Sequence, residues 1–351
     1  MDLHKQKIKA EALHLGFSFI GFTKPQQTPH FSSFEKWLNL PIPEELDYLK
    51  KSYVIDARKE PGILLEEARS VIVLGIGYPE STLPNAGSDP ERKNFGQIAA
   101  YACLPDYHRW FKDRTREFLS SLKIFKNSAV RTKLFVDSGP VMEKDFAFQS
   151  GLGWIGKNSL FISRVYGSFC LLGCLFVDFD IEPDPTVETD MCGECEHCIR
   201  SCPTQAISGN RTIDASRCIS FLTTNARGVI PNHLCEKIGN HVFGCDVCQS
   251  VCPLNIEKPV FKEKTYGLLS PKIENKVNLH DELFMSERSY SAKYSLTPII
   301  KLPYEVFLRN LIIAAGNSGD NSFKVPLKRM VEIHTASVIL TAAQRAIASL
   351  E

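Results

Sequence analysis

Nine of the twelve cysteines in this 351-residue chain fall between Cys192 and Cys252, and their spacing restricts the fold more than any other feature. The first run is Cys192-Gly-Glu-Cys195-Glu-His-Cys198-Ile-Arg-Ser-Cys202-Pro203. This is the Cys-x2-Cys-x2-Cys-x3-Cys-Pro pattern that ligates paired 4Fe–4S clusters. Three thiolates at that spacing wrap one face of a cubane, and the proline turns the chain so that the fourth cysteine serves a second cluster. The second run, Cys245-Asp-Val-Cys248-Gln-Ser-Val-Cys252-Pro253, lacks its first thiolate, because position 242 is Val242. Crossed ligation therefore assigns Cys192, Cys195, Cys198 and Cys252 to one cluster. The other takes Cys202, Cys245, Cys248 and either Cys218 or Cys235, between which spacing does not choose. A zinc ribbon also uses Cys-x2-Cys pairs, but it needs neither the third cysteine nor the Cys-Pro ending.

Around this centre the chain reads as three zones. Residues 1–185 mix α and β: SVIVLGIGY (70–78) and KLFVDSG (133–139) are apolar runs that end at glycine, as strands do. Residues 107–125 carry Trp110, Phe111, Phe118, Leu119 and Leu122 at helical spacing. Gly167 to Val177 is apolar apart from Ser168 and reads as one or two buried strands. Residues 186–256 hold the cysteine runs, with too little apolar sequence for a core of their own, so metal cross-linking is expected to hold them. Residues 257–351 turn helical, with VFLRNLIIAAGN (306–317) and an Ala/Leu/Ile/Val-rich stretch over 325–350. Cys103, Cys170, Cys174 and Cys235 stand outside complete motifs and are expected to be buried packing residues.

Charge narrows the partners. Lys plus Arg is 41 against 40 for Asp plus Glu, a formal charge of +1, so a globally basic nucleic-acid coat is excluded. Eight acids and no Lys or Arg lie between Leu175 and Glu196, a stretch expected to face away from phosphate. Lys324, Lys328 and Arg329 are the basic residues expected to meet a nucleic-acid backbone. No apolar run approaches the roughly 20 residues of a membrane span, and the N-terminus lacks a signal-peptide core, so a cytoplasmic protein is expected.

Two other motifs invite a nucleotide reading. GLGWIG (151–156) matches Gly-x-Gly-x-x-Gly, but it follows MEKDFAFQS, which reads as a helix, and no acidic residue stands at the required offset. As a phosphate loop it fails at Asn158, where a magnesium-binding hydroxyl belongs. A tight turn that brings backbone close to a ligand fits better. Asp137 closes an apolar run before Ser138-Gly139-Pro140, a frequent place for a catalytic acid and equally for a capping residue. Asp106-Tyr107-His108 opens a helix, where Asp106 reads as the N-cap.

Taken together, VDSGPVMEKDFAFQSGLGWIGKNSL (136–160), CGECEHCIRSCPTQAI (192–207), RCISFLT (217–223) and GCDVCQSVCPLN (244–255) resemble the epoxyqueuosine reductases. The resemblance implies an α+β chain with a nitroreductase-like cobalamin-binding domain (1–185), a ferredoxin-like module with two 4Fe–4S clusters (186–256) and a C-terminal α-helical, HEAT-like cap (257–351). It implies reduction of epoxyqueuosine to queuosine at the wobble position of tRNA, with cobalamin as cofactor. Partners would be tRNA carrying epoxyqueuosine and an unidentified electron donor, the chain acting as a monomer with no membrane. Cys218 becomes the missing ligand and Asp137 the general acid, which would have to hold a proton at neutral pH. Asp106, Tyr107 and His108 fall beside the substrate, and Arg58, Tyr101, Asp137, Asn158, Ser220, Cys245 and Asp246 beside the corrinoid. Cys103, Leu104 and Pro105 depart from the residues usual before the Asp-Tyr-His trio. A reductive dehalogenase, which pairs the same cofactors, is the nearest alternative, although its usual twin-arginine leader has no counterpart here.

Overall fold

The computed structural model describes residues 3–78, 82, 93–126, 130–186, 190–209, 211–256 and 270–351. Its strands in chain order are β1 (Phe19–Thr23), β2 (Ser70–Gly77), β3 (Phe95–Ile98), β4 (Thr132–Phe135), β5 (Gly153–Ile155), β6 (Phe161–Ser163), β7 (Cys170–Val177), β8 (His241–Phe243) and β9 (Lys276–Asn278). The main sheet runs β1-β2-β7-β4, with every neighbouring pair antiparallel.

All eight residues of β2 are buried, because both faces of this sheet are covered. Ile72, Leu74 and Ile76 pack with Phe17, Phe111 and Phe118 under the helices Leu3–His14 and Tyr107–Ser121. Val71 and Val73 face the opposite way, onto Phe146 of the helix Glu143–Gln149. Two expected boundaries shift. The 107–125 helix ends at Ser121 and continues as a 3-10 turn, Lys123–Lys126. The strand expected over 133–139 stops at Phe135, because Asp137 takes φ +58°, a left-handed conformation a strand cannot contain.

The three zones are stitched by a second sheet of order β8-β3-β9. Its middle strand, β3, comes from the first zone; it pairs in parallel with β8 from the cysteine zone and antiparallel with β9 from the helical zone. One apolar core accordingly runs from Ile98 and Cys103 through Ile219, Leu222 and Val242 to Leu311, Ala343 and Leu350. The cysteine zone thus borrows its core, as its thin apolar content requires. The helix Tyr304–Asn317 is the axis of that core, buried from Val306 to Gly316. At Gly316 a side chain would collide with Ala346, its Cβ 2.5 Å away, so glycine permits the close crossing with the helix Ser337–Ser349.

The acidic stretch is less bare than its sequence suggests. Lys5 and Lys9 pair with Asp184 at 2.8 and 3.0 Å, Lys24 with Asp180 at 2.8 Å, and Arg131 with Asp178 at 3.4 Å. Arg211 pairs with Asp190. Glu188 lies outside the described residues. Among the basic residues singled out on the C-terminal helices, Arg329 lies over the Phe284 ring at 5.3 Å.

Two polar residues pin the cysteine zone onto the axial helix. Arg309, fully buried, donates to the carbonyls of Leu222, Ala226 and Gly228 at 2.6–3.0 Å. Burial pulls its guanidinium down to about 10, still charged at neutral pH. Asn310 donates to Thr223 and Val242 carbonyls at 2.8 and 2.9 Å. Arg309→Leu strands the buried Leu222 carbonyl and releases those of Ala226 and Gly228, and is expected to cost on the order of 2 kcal/mol or more, read as a lower urea midpoint at unchanged slope.

Candidate functional site

The two cysteine runs meet face to face through the short helices His197–Arg200 and Val247–Ser250. Cys192, Cys195, Cys198 and Cys252 line one cavity of about 150 Å³, closed by Asn158, Ile162, Met191 and Leu254. Lys157 steadies its rim by donating to the Gly193 carbonyl at 2.7 Å. Among the described residues no three such side chains converge on a single-ion position; these four thiols surround a volume, as ligands of a four-iron cube do. The second set is recognised by which thiols feel one another. Burial pushes Cys218 up, with Cys202 its cysteine neighbour. Burial pushes Cys245 up to about 12, with Cys218 and Cys202 beside it, and pushes Cys248 well up beside Cys245 and Cys218. Cys198 also neighbours Cys248, so the two sets adjoin. Half-buried thiols grouped in fours are soft donors for iron, so the donor set fits two iron–sulfur clusters.

Cys235 is elsewhere. It is buried against the axial helix, donates to the Ile230 carbonyl at 3.5 Å and has Arg345 and Arg309 as its charged neighbours. Cys103 and Cys174 are fully buried, and Cys170 is half-buried; burial pushes Cys103 and Cys170 up to about 12 and Cys174 well up, which keeps them as inert thiols. The Gly-rich stretch forms the hairpin β5–β6. A side chain at Gly153 would meet the Ile162 carbonyl 2.0 Å from its Cβ, so this glycine serves close backbone approach and no strand–turn–helix is present.

Asp137 stands in the turn after β4, with its side chain 69% exposed. The Tyr107 hydroxyl donates to its Oδ2 at 2.7 Å, and His108 Nε2 lies 3.7 Å from the same oxygen. Asp106 caps the helix that carries both, accepting from the His108 backbone N–H at 3.0 Å and meeting His108 Nδ1 at 2.8 Å. Tyr101 packs edge-on against Tyr107, and burial raises both phenols, so they remain donors. Beneath Asp137 lies Glu143, which the sequence reasoning missed although it closes the same VDSGPVME stretch. Burial pushes its carboxyl up to about 7, and Asp137 and Arg58 are its charged neighbours. Arg58 stacks on Phe34 at 4.4 Å. Glu143 Oε1 and Arg58 Nε are both buried without a hydrogen-bond partner. Unpaired polar atoms at the edge of an open site suit a ligand rimmed with amide groups, as a corrinoid is.

Asp246 links this pocket to the clusters. Burial pushes it up to about 6; it accepts from the Ala100 N–H at 2.7 Å and from Gln249 at 3.0 Å. Gln249 in turn accepts from Ser168 at 3.0 Å, just ahead of β7. Ser220 sits on the helix Ile219–Thr224 beside Phe221, which shares a small core with Leu46, Leu49, Val54 and Phe34, the ring under Arg58. Asn158 lines the thiol cavity. Lys301, also missed, reaches the trio from the C-terminal zone, its Nζ 2.9 Å from His108 Nδ1 and 3.3 Å from Asp106. No local pattern signals it.

A family described as the 4Fe–4S double cluster binding domain matches residues 191–255, and one described as epoxyqueuosine reductase QueG (DUF1730) matches 58–138. The epoxyqueuosine reductase of Cyclobacterium marinum is 35% identical over 316 residues, covering 89% of this chain and 96% of that protein. The chain belongs to the epoxyqueuosine reductase family. Among solved structures, a selenomethionine-labelled epoxyqueuosine reductase superposes with a TM-score of 0.85 at 30% identity, covering 99% of this chain and 90% of the other. An epoxyqueuosine reductase with a tRNA-Tyr epoxyqueuosine-modified stem loop does so with a TM-score of 0.79 at 26% identity, covering 99% and 98%.

For this reductase, Cys218→Ser is expected to remove about half the iron bound after anaerobic reconstitution, whereas Cys235→Ser keeps it all; iron and sulfide analysis checks both. A second prediction follows from Glu143. Its folded carboxyl is raised, so the protein holds an extra proton between the ordinary carboxylate range and about 7. The stability it contributes is full at the acid end of that window and lost as pH rises through about 7. Glu143→Gln flattens this fall, seen in urea unfolding from about pH 5 to about pH 8.

Proposed function

We propose that this reductase removes the epoxide oxygen of epoxyqueuosine in tRNA to give queuosine, using two 4Fe–4S clusters and cobalamin, with Asp137 as the general acid. The observation that carries this reading is one exposed carboxyl, Asp137, held by Tyr107 at 2.7 Å, with Asp246, next to Cys245 of the thiol sets, hydrogen-bonded to Ala100 on the segment that leads to Tyr107. Turning an epoxide into an alkene takes two electrons and two protons and releases water, so the chemistry needs both a single-electron store and an acid. Cobalamin, when bound, supplies a strongly reducing centre in the pocket. The thiol sets Cys192/Cys195/Cys198/Cys252 and Cys202/Cys218/Cys245/Cys248 hold the clusters side by side.

The remaining roles are assigned to residues of this chain. Arg58, with a free Nε, and Tyr101, Ser220, Cys245 and Asp246, around the same pocket, border the corrinoid; Asn158, on the thiol cavity, borders it from the cluster side. Asp106, Tyr107 and His108 face the substrate, and Tyr107 orients the Asp137 carboxyl toward it. Asp137 is exposed in the protein alone, so the bound ligands complete the dry surroundings in which a carboxyl keeps its proton. We read 1–185 as the nitroreductase-like cobalamin domain, 186–256 as the ferredoxin-like module and 257–351 as a HEAT-like helical cap. Binding of tRNA is supported by the relative solved with its modified stem loop. No described helix is long and apolar enough to cross a membrane; we read the enzyme as a cytoplasmic monomer served by a separate electron donor, a reading that a tRNA substrate supports.

The test is anaerobic: cluster-reconstituted protein, cobalamin, a low-potential reductant and tRNA carrying epoxyqueuosine, with digested nucleosides followed by mass spectrometry. Cobalamin-dependent loss of one oxygen is expected. No conversion with intact clusters and bound cobalamin would overturn the substrate assignment. Asp137→Asn is expected to bind cobalamin and tRNA normally and to convert about 10²–10⁴ times more slowly.

A further inference from the structure

Two protons are consumed for each epoxide reduced, but Asp137 carries one at a time. It must therefore be reloaded while tRNA still covers the pocket. Among the described residues two groups reach its Oδ2: the Tyr107 hydroxyl at 2.7 Å and His108 Nε2 at 3.7 Å. Tyr107 is buried beside a carboxylate, which keeps its phenol protonated, so it orients Asp137 and does not feed it. That leaves His108.

The other nitrogen of His108 has two suitors with opposite demands. Asp106 Oδ1, at 2.8 Å, can only accept, so it needs a proton on Nδ1. Lys301 Nζ, at 2.9 Å, can only donate, so it needs a bare Nδ1. One ring cannot satisfy both at once; it can satisfy them in turn. The two partners therefore mark two tautomers of one imidazole. Lys301 comes from the 3-10 turn Pro298–Lys301 in the C-terminal zone, and its side chain is 52% exposed against 23% for His108, so one end of the chain of groups meets water.

We infer that Lys301 is a positioning residue and proton source in a relay, Lys301–His108–Asp137, that reloads the acid within a turnover; this rests on the reading of Asp137 above. With Lys301 donating to Nδ1, the neutral ring carries its proton on Nε2, facing Asp137. When Asp137 has protonated the departing oxygen, the Nε2 proton passes to its carboxylate and a proton from the Lys301 ammonium passes to Nδ1. The imidazole stays neutral, Lys301 becomes an amine, and the new Nδ1–H bonds to Asp106. Once the product tRNA has left and the pocket is open, a solvent proton taken up at Nε2, with return of the Nδ1 proton to Lys301, restores the start, so the net input is one proton from water. The charged and titratable groups facing His108 are Asp106, Tyr107, Asp137 and Lys301. Burial alone would raise Asp106, but hydrogen bonds from the His108 ring and N–H, and the Lys301 ammonium, hold its carboxyl below the usual range, so it stays an acceptor.

The experiment has two readouts. Nitrogen-15 NMR of the tRNA-free, cluster-loaded protein, with His108 assigned by His108→Gln, is expected to show the Nε2–H tautomer in the wild type and in Lys301→Arg, and Nδ1–H in Lys301→Met. Single-turnover conversion is expected to slow about tenfold or more in Lys301→Met, with tRNA affinity and its salt dependence unchanged, and to slow no further in Lys301→Met/His108→Gln than in His108→Gln. Lys301→Arg stays slow, because a guanidinium donates a hydrogen bond but does not give up its proton. Unchanged turnover in Lys301→Met, full speed in Lys301→Arg, or weaker tRNA binding with a shallower salt slope, the mark of a phosphate contact, each overturns the relay. If the wild type does not convert the substrate at all, the functional reading falls, and the NMR arm still reports whether Lys301 sets the tautomer.

Discussion

The interleaving of the two cysteine runs is the constraint on which the rest of the structure depends. Because Cys252 of the second run joins Cys192, Cys195 and Cys198 of the first around one cavity, and Cys202 of the first neighbours Cys245 of the second, the runs lie side by side with the helices His197–Arg200 and Val247–Ser250 face to face. The sequence between them, which carries Cys218 and β8, is then a loop returned to its starting point. It has little apolar content, so it is held from outside. Arg309 and Asn310 grip its carbonyls, and β8 lies against β3. A buried guanidinium is costly in an apolar core unless each donor is used; here it supplies the rigidity that an iron-binding loop cannot supply itself.

The same stitching brings the thiol sets and the Asp-Tyr-His trio together. Cys245 and Asp246 are adjacent in sequence, the first among the thiols of one cluster set and the second hydrogen-bonded to Ala100 on the segment that leads to the Asp-Tyr-His trio. Cluster and pocket are therefore joined through one residue step and a short buried hydrogen bond. The C-terminal zone closes the other side: the Asp106 N–H donates to the Leu296 carbonyl at 2.9 Å, and Lys301 follows five residues later. The pocket is built from all three zones, none of which holds a complete set of its groups.

What could be read in the sequence divides along physical lines. Thiolate spacing was legible because local geometry around a cubane dictates it, and the apolar run SVIVLGIGY was legible because a sheet covered on both faces demands a wholly apolar strand. The choice between Cys218 and Cys235 was not, since the two differ only in tertiary surroundings: one among thiols, the other between arginines. Asp106 as an N-cap was a local matter and could be read; Asp137 looked like a strand end, and its φ of +58° shows a turn instead. The acidic stretch 175–196 looked like bare negative surface, yet its partners Lys5, Lys9, Lys24 and Arg131 come from distant sequence.

Glu143 and Lys301 show the limit most clearly, because neither sits in a pattern that local sequence can flag. Glu143 opens an ordinary helix, and only the packing of Arg58 and the Asp137 turn over it makes a surface-type residue a buried carboxyl that titrates near neutrality. Lys301 ends a short turn almost two hundred residues from His108, and its effect comes from approaching the same nitrogen as Asp106. Groups of this kind gain their chemistry from convergence of segments. They would be tolerated by local folding rules in any of several identities, so the restriction on what stands there comes from the segments that converge on them: Arg58 and the Asp137 turn at Glu143, Asp106 and His108 at Lys301.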